Sequence, residues 1–492
     1  MQISTETPTM KRELRLLDST MIVAGSMIGS GIFLVSSDMA RTVGSPGIIL
    51  AIWLFTGILT LIAALSYGEL AAMMPKAGGQ YVYLKEAYNP IIGFLFGWTT
   101  FMVIQTGLIA AVAIAFARYT SELIPFFNEK NILFSIGSFN VNHTQILALA
   151  LIALLTFINL KGVKNAKILQ TVFTLAKILA LIGLIVLGIY IGFNSDAFKA
   201  NMSDLWTPYQ TIKNEDGSIT RSLLSGTLLF GAIGGAMVGS LFSSDAWNNI
   251  TYTAGEVKNP ERNIPLSLFL GTLIVTVLYI LANVAYMMVL PVKGIPEGVS
   301  VIERGIMFAS QDRVGTAAAS VIFGQAAVVI MALLIMVSTF GCNNGLILSG
   351  SRLFYAMAKD GVFFQKAGVL NKHSVPGFAL IIQAIWASVL CLSGSYGQLL
   401  DYCTFSALLF YIITIAGIFV LRKTRPEWPR PYKAFGYPIL PALYIILAGA
   451  ICVVLLRFKP DTCGWGLAIV LLGIPVYYLR KYFVKDDKTI LE

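Results

Sequence analysis

The chain has 492 residues, of which 57% are hydrophobic and only 12% are charged, about half the share of roughly 25% in soluble proteins. This leaves too little polar surface for a soluble protein of this length, and apolar runs recur from end to end, so the sequence predicts a polytopic membrane protein. The net charge of +10 would suit nucleic-acid binding in a soluble protein, but in a membrane protein it reflects topology.

Few residues are suited to metal or covalent chemistry. Five cysteines lie in or beside apolar runs without a CxxC pair, and the two histidines, His143 and His373, fall in predicted loops. The pattern predicts no disulfide framework, no metal, no other cofactor and no histidine-based triad, so we expect a protein that is not an enzyme. The sequence also lacks a GxxxxGK[ST] motif, which disfavours ATP-driven transport by this chain.

Twelve apolar runs predict membrane helices, which need about 20 residues each. The sixth and eighth runs are too long for one straight crossing, so each is expected to bend, break or extend beyond the membrane. The runs cover 17–42, 46–74, 90–122, 143–161, 166–193, 222–257, 264–290, 315–358, 376–394, 396–422, 434–457 and 463–482.

Two of these runs are interrupted by residues that destabilise a helix. The first carries 25-GSMIGSGIF-33, and the sixth carries 239-GSLFSSDAWNN-249. Each stretch alone also fits a packing face, because glycine and serine are common where membrane helices touch. Paired interruptions at matching positions of two halves, however, are typical of inverted-repeat transporters, and they favour a binding site.

Broken helices can bind a zwitterion through the backbone. One new end exposes free N–H groups and the other exposes free C=O groups, and such backbone survives in a membrane only inside protein or beside a wet cavity. The N–H end attracts a carboxylate, and the C=O end attracts an ammonium group. Two opposed breaks therefore suit the backbone of an amino acid without any charged side chain.

The basic residues predict the orientation of the chain. If both termini are cytoplasmic, the inner segments exceed the outer loops in Lys and Arg by roughly two to one. We therefore expect contact with the lipid bilayer and not with nucleic acid. The inner connection 75-PKAGGQYVYLKEAYNP-90 is amphipathic and predicts a short interfacial helix, with a solvated loop as the alternative.

Lys177 lies in the middle of the fifth span. At 1.5 Å per residue it is roughly 17 Å into the helix, too deep to reach the interface easily. An ionisable residue at this depth indicates function and needs a partner. Either its ammonium bonds the free carbonyls of the broken first helix, which overlaps with a purely structural pin, or it loses its proton during transport.

Three carboxylates lie in the spans or at their ends. Asp245, in the second interruption, either meets a substrate ammonium or caps the second half of the sixth helix, and we favour the cap. Glu69 and Glu256 lie near cytoplasmic span ends, where ion pairs with nearby Lys and Arg residues are expected in preference to substrate contact.

Five stretches in this order resemble motifs of the amino acid–polyamine–organocation superfamily, and within it the bacterial members of the L-type amino acid transporter group. They are 25-GSMIGSGIF-33, 75-PKAGGQYVYLKEAY-88, 247-WNNITYTAGEVKNPERNIPLSL-268, 338-STFGCNNGLILSGSRLFYAMAKDG-361 and 421-LRKTRPEWPRPYK-433. The resemblance implies an all-α, LeuT-like fold of 12 transmembrane helices, with a 5+5 inverted repeat and with helices 1 and 6 broken. The implied segments are a cytoplasmic tail (1–16), the first repeat (17–193), the second repeat (222–422), two further spans (434–482) and a cytoplasmic tail (483–492).

The resemblance also implies the roles of site residues. The carbonyls of Met27 and Phe242 receive the substrate ammonium, and backbone N–H groups at 29–31 receive the carboxylate. Lys177 replaces a second sodium site, near the first break and Ser338. The candidate substrate-binding residues are Ser26, Met27, Gly29, Ser30, Gly31, Phe242, Ser243, Ser244 and Asp245, and the candidate coupling or gating residues are Lys177 and Ser338.

The implied function is sodium-independent secondary transport of amino acids across the cell membrane. We expect an exchanger of neutral amino acids that works by alternating access. Asp245 leaves cationic amino acids as an alternative substrate class. A proton-coupled symporter is the alternative, and a non-transporting amino acid sensor is a remoter one. Animal members join a glycoprotein through a cysteine between spans three and four; residues 123–142 contain none, so no disulfide-linked heavy subunit is expected.

Overall fold

The computed structural model describes residues 10–136, 139–214, 218–393 and 396–489, so the ends of both predicted tails lie outside the described residues. Ten helices in these ranges are long and apolar enough to cross a membrane, and they fall in ten of the twelve predicted runs. The first and ninth runs hold shorter apolar helices, Leu16–Met27 and Gly377–Leu392. The chain is therefore a predominantly helical, polytopic membrane protein, as predicted.

The elements are numbered in chain order. The helices are α1 Leu16–Met27, α2 Val35–Val43, α3 Pro46–Met73, α4 Gln80–Ala87, α5 Pro90–Thr99, α6 Gln105–Leu123, α7 His143–Leu160, α8 Val163–Gly192, α9 Asp196–Ser203, α10 Gly226–Ser243, α11 Asn249–Tyr252, α12 Pro260–Val289, α13 Val301–Arg304, α14 Val314–Phe323, α15 Ala327–Lys359, α16 Gly377–Leu392, α17 Tyr396–Thr424, α18 Ile439–Phe458 and α19 Pro460–Thr489. The strands form two antiparallel hairpins, β1 Ile132–Ile136 with β2 Phe139–Asn142 and β3 Tyr209–Lys213 with β4 Ile219–Leu223, which lie between predicted spans except that β4 overlaps the start of the sixth run.

Both predicted interruptions are breaks. α1 ends at Met27, Ile28 is extended (φ −76°, ψ 90°), and a short 3-10 turn leads into α2. In the sixth run α10 ends at Ser243, and α11 begins only at Asn249. Within this gap Ala246 has a φ of 63°, a left-handed conformation that L-residues seldom adopt and that a helix cannot continue through.

The eighth run also breaks, as its length predicts. α14 ends at Phe323, and Gly324, whose φ is 58°, opens a 3-10 turn before α15. The third span stays continuous but contains one π-helical turn at Thr100–Ile104 between α5 and α6. Such turns widen a helix locally and are frequent near functional sites.

The broken first helix lies inside the bundle. α1 contacts α8, α12 and α15, and every residue from Ser19 to Met27 is buried. A Cβ atom added to Gly25 would lie 2.2 Å from Nε2 of Gln170 and 2.2 Å from Oγ1 of Thr174 on α8. The small residues of the first motif therefore serve close helix packing as well as the break.

The predicted helix in the connection between the second and third spans is confirmed as α4. Its side chains are mostly buried, so it is packed into the protein and does not present a free amphipathic face. Gln80 donates to Oγ1 of Thr414 (3.0 Å) and accepts from Nδ2 of Asn248 (2.8 Å). These bonds join α4 to α17 and to the segment that follows the second break.

The predicted ion pairs of Glu69 and Glu256 are confirmed, but their partners are remote in sequence. Glu69 pairs with Arg422, in the last turn of α17, at 2.6 Å and with Arg430, after that helix, at 3.4 Å. Glu256 pairs with Arg352 of α15 at 3.0 Å, and both side chains are completely buried. The packing of segments that are distant in sequence therefore determines these ion pairs.

Candidate functional site

Lys177 joins the first break to two other helices. From α8 its Nζ donates to the carbonyl oxygens of Gly25 and Ile28, each at 2.6 Å, and to that of Ser338 on α15 at 3.3 Å. The side chain is only 1% exposed. These are the contacts that the first of its two predicted roles requires, because the carbonyls at the end of α1 have no intrahelical donor.

Ser338 completes this cross-link. Its hydroxyl lies 3.0 Å from the carbonyl oxygen of Ile28 and 3.1 Å from that of Gly29, and its own carbonyl accepts from Lys177. The side chain of one α15 residue therefore bonds the backbone of the first break, and its carbonyl bonds the lysine that bonds the same break. The predicted proximity of Ser338 to the break is confirmed.

The two breaks meet directly. A Cβ atom added to Gly31 would lie 2.2 Å from Oγ of Ser243 and 3.2 Å from its Cα atom. Only glycine at position 31 allows the backbone after α1 to approach the end of α10 this closely. The two interruptions, more than 200 residues apart in sequence, therefore form one structure.

Tyr279 of α12 bridges the breaks, and no sequence pattern distinguishes it among the 20 tyrosines. Its hydroxyl lies 3.0 Å from the carbonyl oxygen of Met27 and 3.0 Å from that of Ser243, so its single proton is shared between them. The ring is buried against Trp53, edge to face, at 5.4 Å between centroids. Tyr279 thus supplies a donor where two helix C-termini converge.

Replacing Tyr279 with phenylalanine is expected to strengthen substrate binding about fivefold, because the hydroxyl competes with the substrate ammonium for the Met27 carbonyl and one buried hydrogen bond contributes about 1 kcal/mol. The ring packing is retained, so the folded yield in detergent should not change. Substrate-dependent thermal stabilisation measures the affinity. Unchanged affinity in Tyr279→Phe would show that the hydroxyl takes no part in substrate binding.

One small cavity gathers most of the predicted site residues. Its volume is about 20 Å³, space for about one water molecule, so the cavity must enlarge before an amino acid can enter. Of the predicted substrate-binding residues Ser244 lies outside it, in a neighbouring cavity that Asp245 also borders, and the predicted coupling residues Lys177 and Ser338 do not line it. The lining residues are Ser26, Met27, Gly29, Ser30, Gly31, Leu108, Val112, Phe242, Ser243, Asp245, Ala246, Cys342 and Leu346.

The backbone groups predicted to bind substrate are engaged within the protein in this conformation. The Met27 carbonyl accepts from the Gly29 N–H (2.9 Å) as well as from Tyr279. The Phe242 carbonyl accepts from the Asp245 N–H at 3.2 Å. A substrate ammonium would replace one of these internal donors, which again requires movement at the breaks.

Asp245 does not cap the sixth helix, and that prediction is wrong. The N-cap position of α11 belongs to Asn248, and no side chain caps it. The Asp245 carboxylate instead accepts a hydrogen bond from the Tyr411 hydroxyl of α17. Among the described residues no lysine or arginine forms an ion pair with it, although its side chain is buried at the edge of the cavity.

Cys342 is a lining residue that sequence reasoning missed. Its thiol lies 3.0 Å from the carbonyl oxygen of Ser26 and would be 3.4 Å from a Cβ atom on Gly29. Within the described ranges no group of three His, Cys, Asp or Glu residues is placed to hold a metal ion. The polar groups of the site are backbone carbonyls, hydroxyls, the Cys342 thiol, the Lys177 ammonium and the Asp245 carboxylate.

Known proteins resemble this chain over most of its length. A family model described as amino acid permease matches residues 14–473. The chain belongs to the amino acid permease family. This permease is 30% identical over 487 residues to the "Large neutral amino acids transporter small subunit 2" of Homo sapiens, which covers 97% of this chain and 82% of the relative.

Two further relatives of the permease agree over similar lengths. It is 30% identical over 483 residues to the "b(0,+)-type amino acid transporter 1" of Mus musculus, covering 97% of this chain and 90% of the relative. It is 27% identical over 496 residues to the "Asc-type amino acid transporter 1" of Mus musculus, covering 99% and 84%. The resemblance to the L-type amino acid transporter group is thereby confirmed over nearly the whole chain.

Proposed function

We propose that this permease is a sodium-independent secondary transporter that exchanges amino acids, chiefly neutral ones, by alternating access. The observation that carries the proposal is the Lys177 ammonium at the carbonyls of Gly25, Ile28 and Ser338. A fixed ammonium supplies the positive charge that free carbonyls at a helix break would otherwise take from a sodium ion. Transport then needs no sodium gradient.

The arrangement of the spans supports alternating access. Residues 17–193 and 222–422 are proposed as two inverted repeats, with 434–482 outside them, and the two breaks meet between the repeats. Such repeats rock against one another around a site near the midplane. The charge bias supports the proposed orientation with both termini in the cytoplasm, and the transporter relatives support the proposed location in the cell membrane.

The proposed substrate is an amino acid whose backbone lies between the breaks. Neutral side chains suit the apolar walls supplied by Leu108, Val112 and Leu346. The relatives named for large neutral amino acids support this class. Asp245, buried without a basic partner among the described residues, supports a cationic side chain as a second substrate class.

Counterflow across reconstituted vesicles tests the exchange proposal. Vesicles loaded with unlabelled amino acid should accumulate labelled amino acid without sodium, and empty vesicles should not. A proton symporter would fill empty vesicles when an inward proton gradient is imposed. That result would overturn exchange, and binding without any counterflow would instead identify a sensor.

Replacing Asp245 with asparagine tests the cationic class. We expect uptake of a cationic amino acid to fall at least tenfold relative to that of a neutral one, because a charge-assisted hydrogen bond contributes about 1.5–3 kcal/mol. Competition of lysine against leucine in the counterflow assay measures the ratio. An unchanged ratio would exclude Asp245 from side-chain selection.

We propose that the protein has no disulfide-linked heavy subunit. All five cysteines are buried, at Cys342, Cys391, Cys403, Cys452 and Cys463, and none is available to a partner at the surface. The same migration on non-reducing and reducing gels of the membrane fraction would support this. A heavier species that disappears on reduction would contradict it.

A further inference from the structure

Four basic side chains gather at one corner of the face predicted to be cytoplasmic. Lys161 and Lys164 lie at the turn from α7 to α8, and Lys372 and His373 lie in the loop before α16, all of them exposed. The loop is joined to the turn, since Nδ2 of Asn371 donates to the carbonyl of Leu160 at 3.0 Å. We call these four residues the corner cluster.

The corner cluster has no neutralising carboxylate. Residues 143–195 and 361–400 contain no aspartate or glutamate, and among the described residues none of the four side chains forms an ion pair. Some other basic residues of this face have partners, since Lys167 pairs with Asp18 at 3.6 Å and Lys85 pairs with Asp360 at 2.7 Å. The corner differs from the rest of the face in that its four basic residues lie on two joined segments that contain no carboxylate.

Two features hold the cluster in a defined geometry. Oδ1 of Asn371 accepts from the His373 N–H at 2.8 Å, which fixes the loop, and a Cβ atom on Gly162 would lie 3.7 Å from Cβ of His373. Gly162 is the N-cap of α8, a 30-residue helix, and offers no side-chain cap. The free N–H groups of that terminus add partial positive charge to the same place.

Apolar side chains continue from the cluster along the outer surface. Phe157 of α7 is 54% exposed, and Ile168 and Val172 of α8 are 54% and 56% exposed. Nζ of Lys161 lies 4.2 Å from the centre of the Phe157 ring, which places the ammonium at the boundary between the polar and apolar surfaces. A ligand that fits both surfaces carries an anion joined to hydrocarbon chains.

We propose that the corner cluster binds the headgroup of an anionic phospholipid whose acyl chains lie along α7 and α8. Lys161, Lys164 and Lys372 contact the phosphate and the anionic headgroup, and the N-terminus of α8 faces the same charge. Because α8 also carries Lys177, the bound lipid steadies the helix that holds the first break. The protein is therefore more stable with anionic lipid than with zwitterionic lipid.

Thermal unfolding of the full chain in nanodiscs tests this proposal. Phosphatidylglycerol should raise the unfolding temperature above that in phosphatidylcholine. The triple variant Lys161→Gln, Lys164→Gln, Lys372→Gln should lose this difference, and titration of phosphatidylglycerol into detergent should show roughly 100-fold weaker binding, since each lysine near an anionic headgroup contributes about a fivefold factor.

A matched variant removes three charges elsewhere on the same face. Lys76→Gln, Lys423→Gln, Lys433→Gln changes exposed lysines outside the corner and should keep the phosphatidylglycerol effect. Equal loss of the phosphatidylglycerol effect in both variants would indicate a diffuse effect of surface charge and would contradict a specific site. An equal gain in stability from inorganic phosphate would also contradict the proposal, because it would indicate a soluble anion in place of a lipid.

Discussion

Replacing Lys177 with alanine is expected to reduce amino acid exchange by roughly 100-fold or more. The ammonium makes two 2.6 Å bonds to carbonyls of the first break, and each charge-assisted bond contributes about 1.5–3 kcal/mol. Without it the carbonyl of Gly25 loses its donor, so the end of α1 no longer keeps the geometry that transport requires. Counterflow in vesicles of matched protein content measures the loss.

Two further variants separate the ammonium from the volume of the side chain. Lys177→Met fills the same space without the charge and should lose exchange as Lys177→Ala does, while both still elute as folded monodisperse protein. Lys199→Ala removes a lysine whose side chain is 66% exposed and should leave exchange unchanged. Near-normal exchange in Lys177→Met would exclude the proposed role of the ammonium.

Replacing Gly31 with alanine is expected to reduce exchange roughly 5- to 150-fold. The added Cβ atom would lie 2.2 Å from Oγ and 2.9 Å from Cβ of Ser243, so the two breaks would be forced apart. Overpacking of this kind costs about 1–3 kcal/mol, which corresponds to that range in an equilibrium constant. The initial rate of counterflow at saturating substrate measures it.

Gly29 provides a control within the same motif. A Cβ atom there would meet only Sγ of Cys342, at 3.4 Å, and Gly29→Ala keeps the backbone N–H group. We therefore expect Gly29→Ala to reduce exchange less than Gly31→Ala does. The double variant Gly31→Ala, Ser243→Gly removes the clashing side chain and should recover part of the exchange; failure to recover would mean that Gly31 acts through another contact.

Much of the architecture could be predicted from local properties of the sequence. Apolar length predicted the spans, and glycine and serine inside them predicted both breaks, because helix propensity is a property of a short segment. Lys177 could also be identified from its own segment, because an ammonium at membrane depth requires a partner however the rest of the chain folds. The organisation into inverted repeats and the substrate contacts stay predictions.

Other predictions failed or were incomplete because they depended on which segments meet. Asp245 was placed at a helix cap, but the chain keeps a left-handed residue, Ala246, between it and α11, and the carboxylate reaches Tyr411 instead. Glu256 was expected to pair with basic residues nearby in sequence, but it pairs with Arg352. Neither outcome follows from residues within a few turns of the carboxylate.

The sequence by itself determined that this protein crosses a membrane many times, breaks its first and sixth helices and buries one lysine at membrane depth. Only the tertiary structure decided what completes the site: Ser338 reaches Ile28 across 310 positions of sequence, and Tyr279 reaches Met27 across 252. Hydrophobic length and helix propensity act over one or two turns, whereas a hydrogen bond between helices depends on how their surfaces pack.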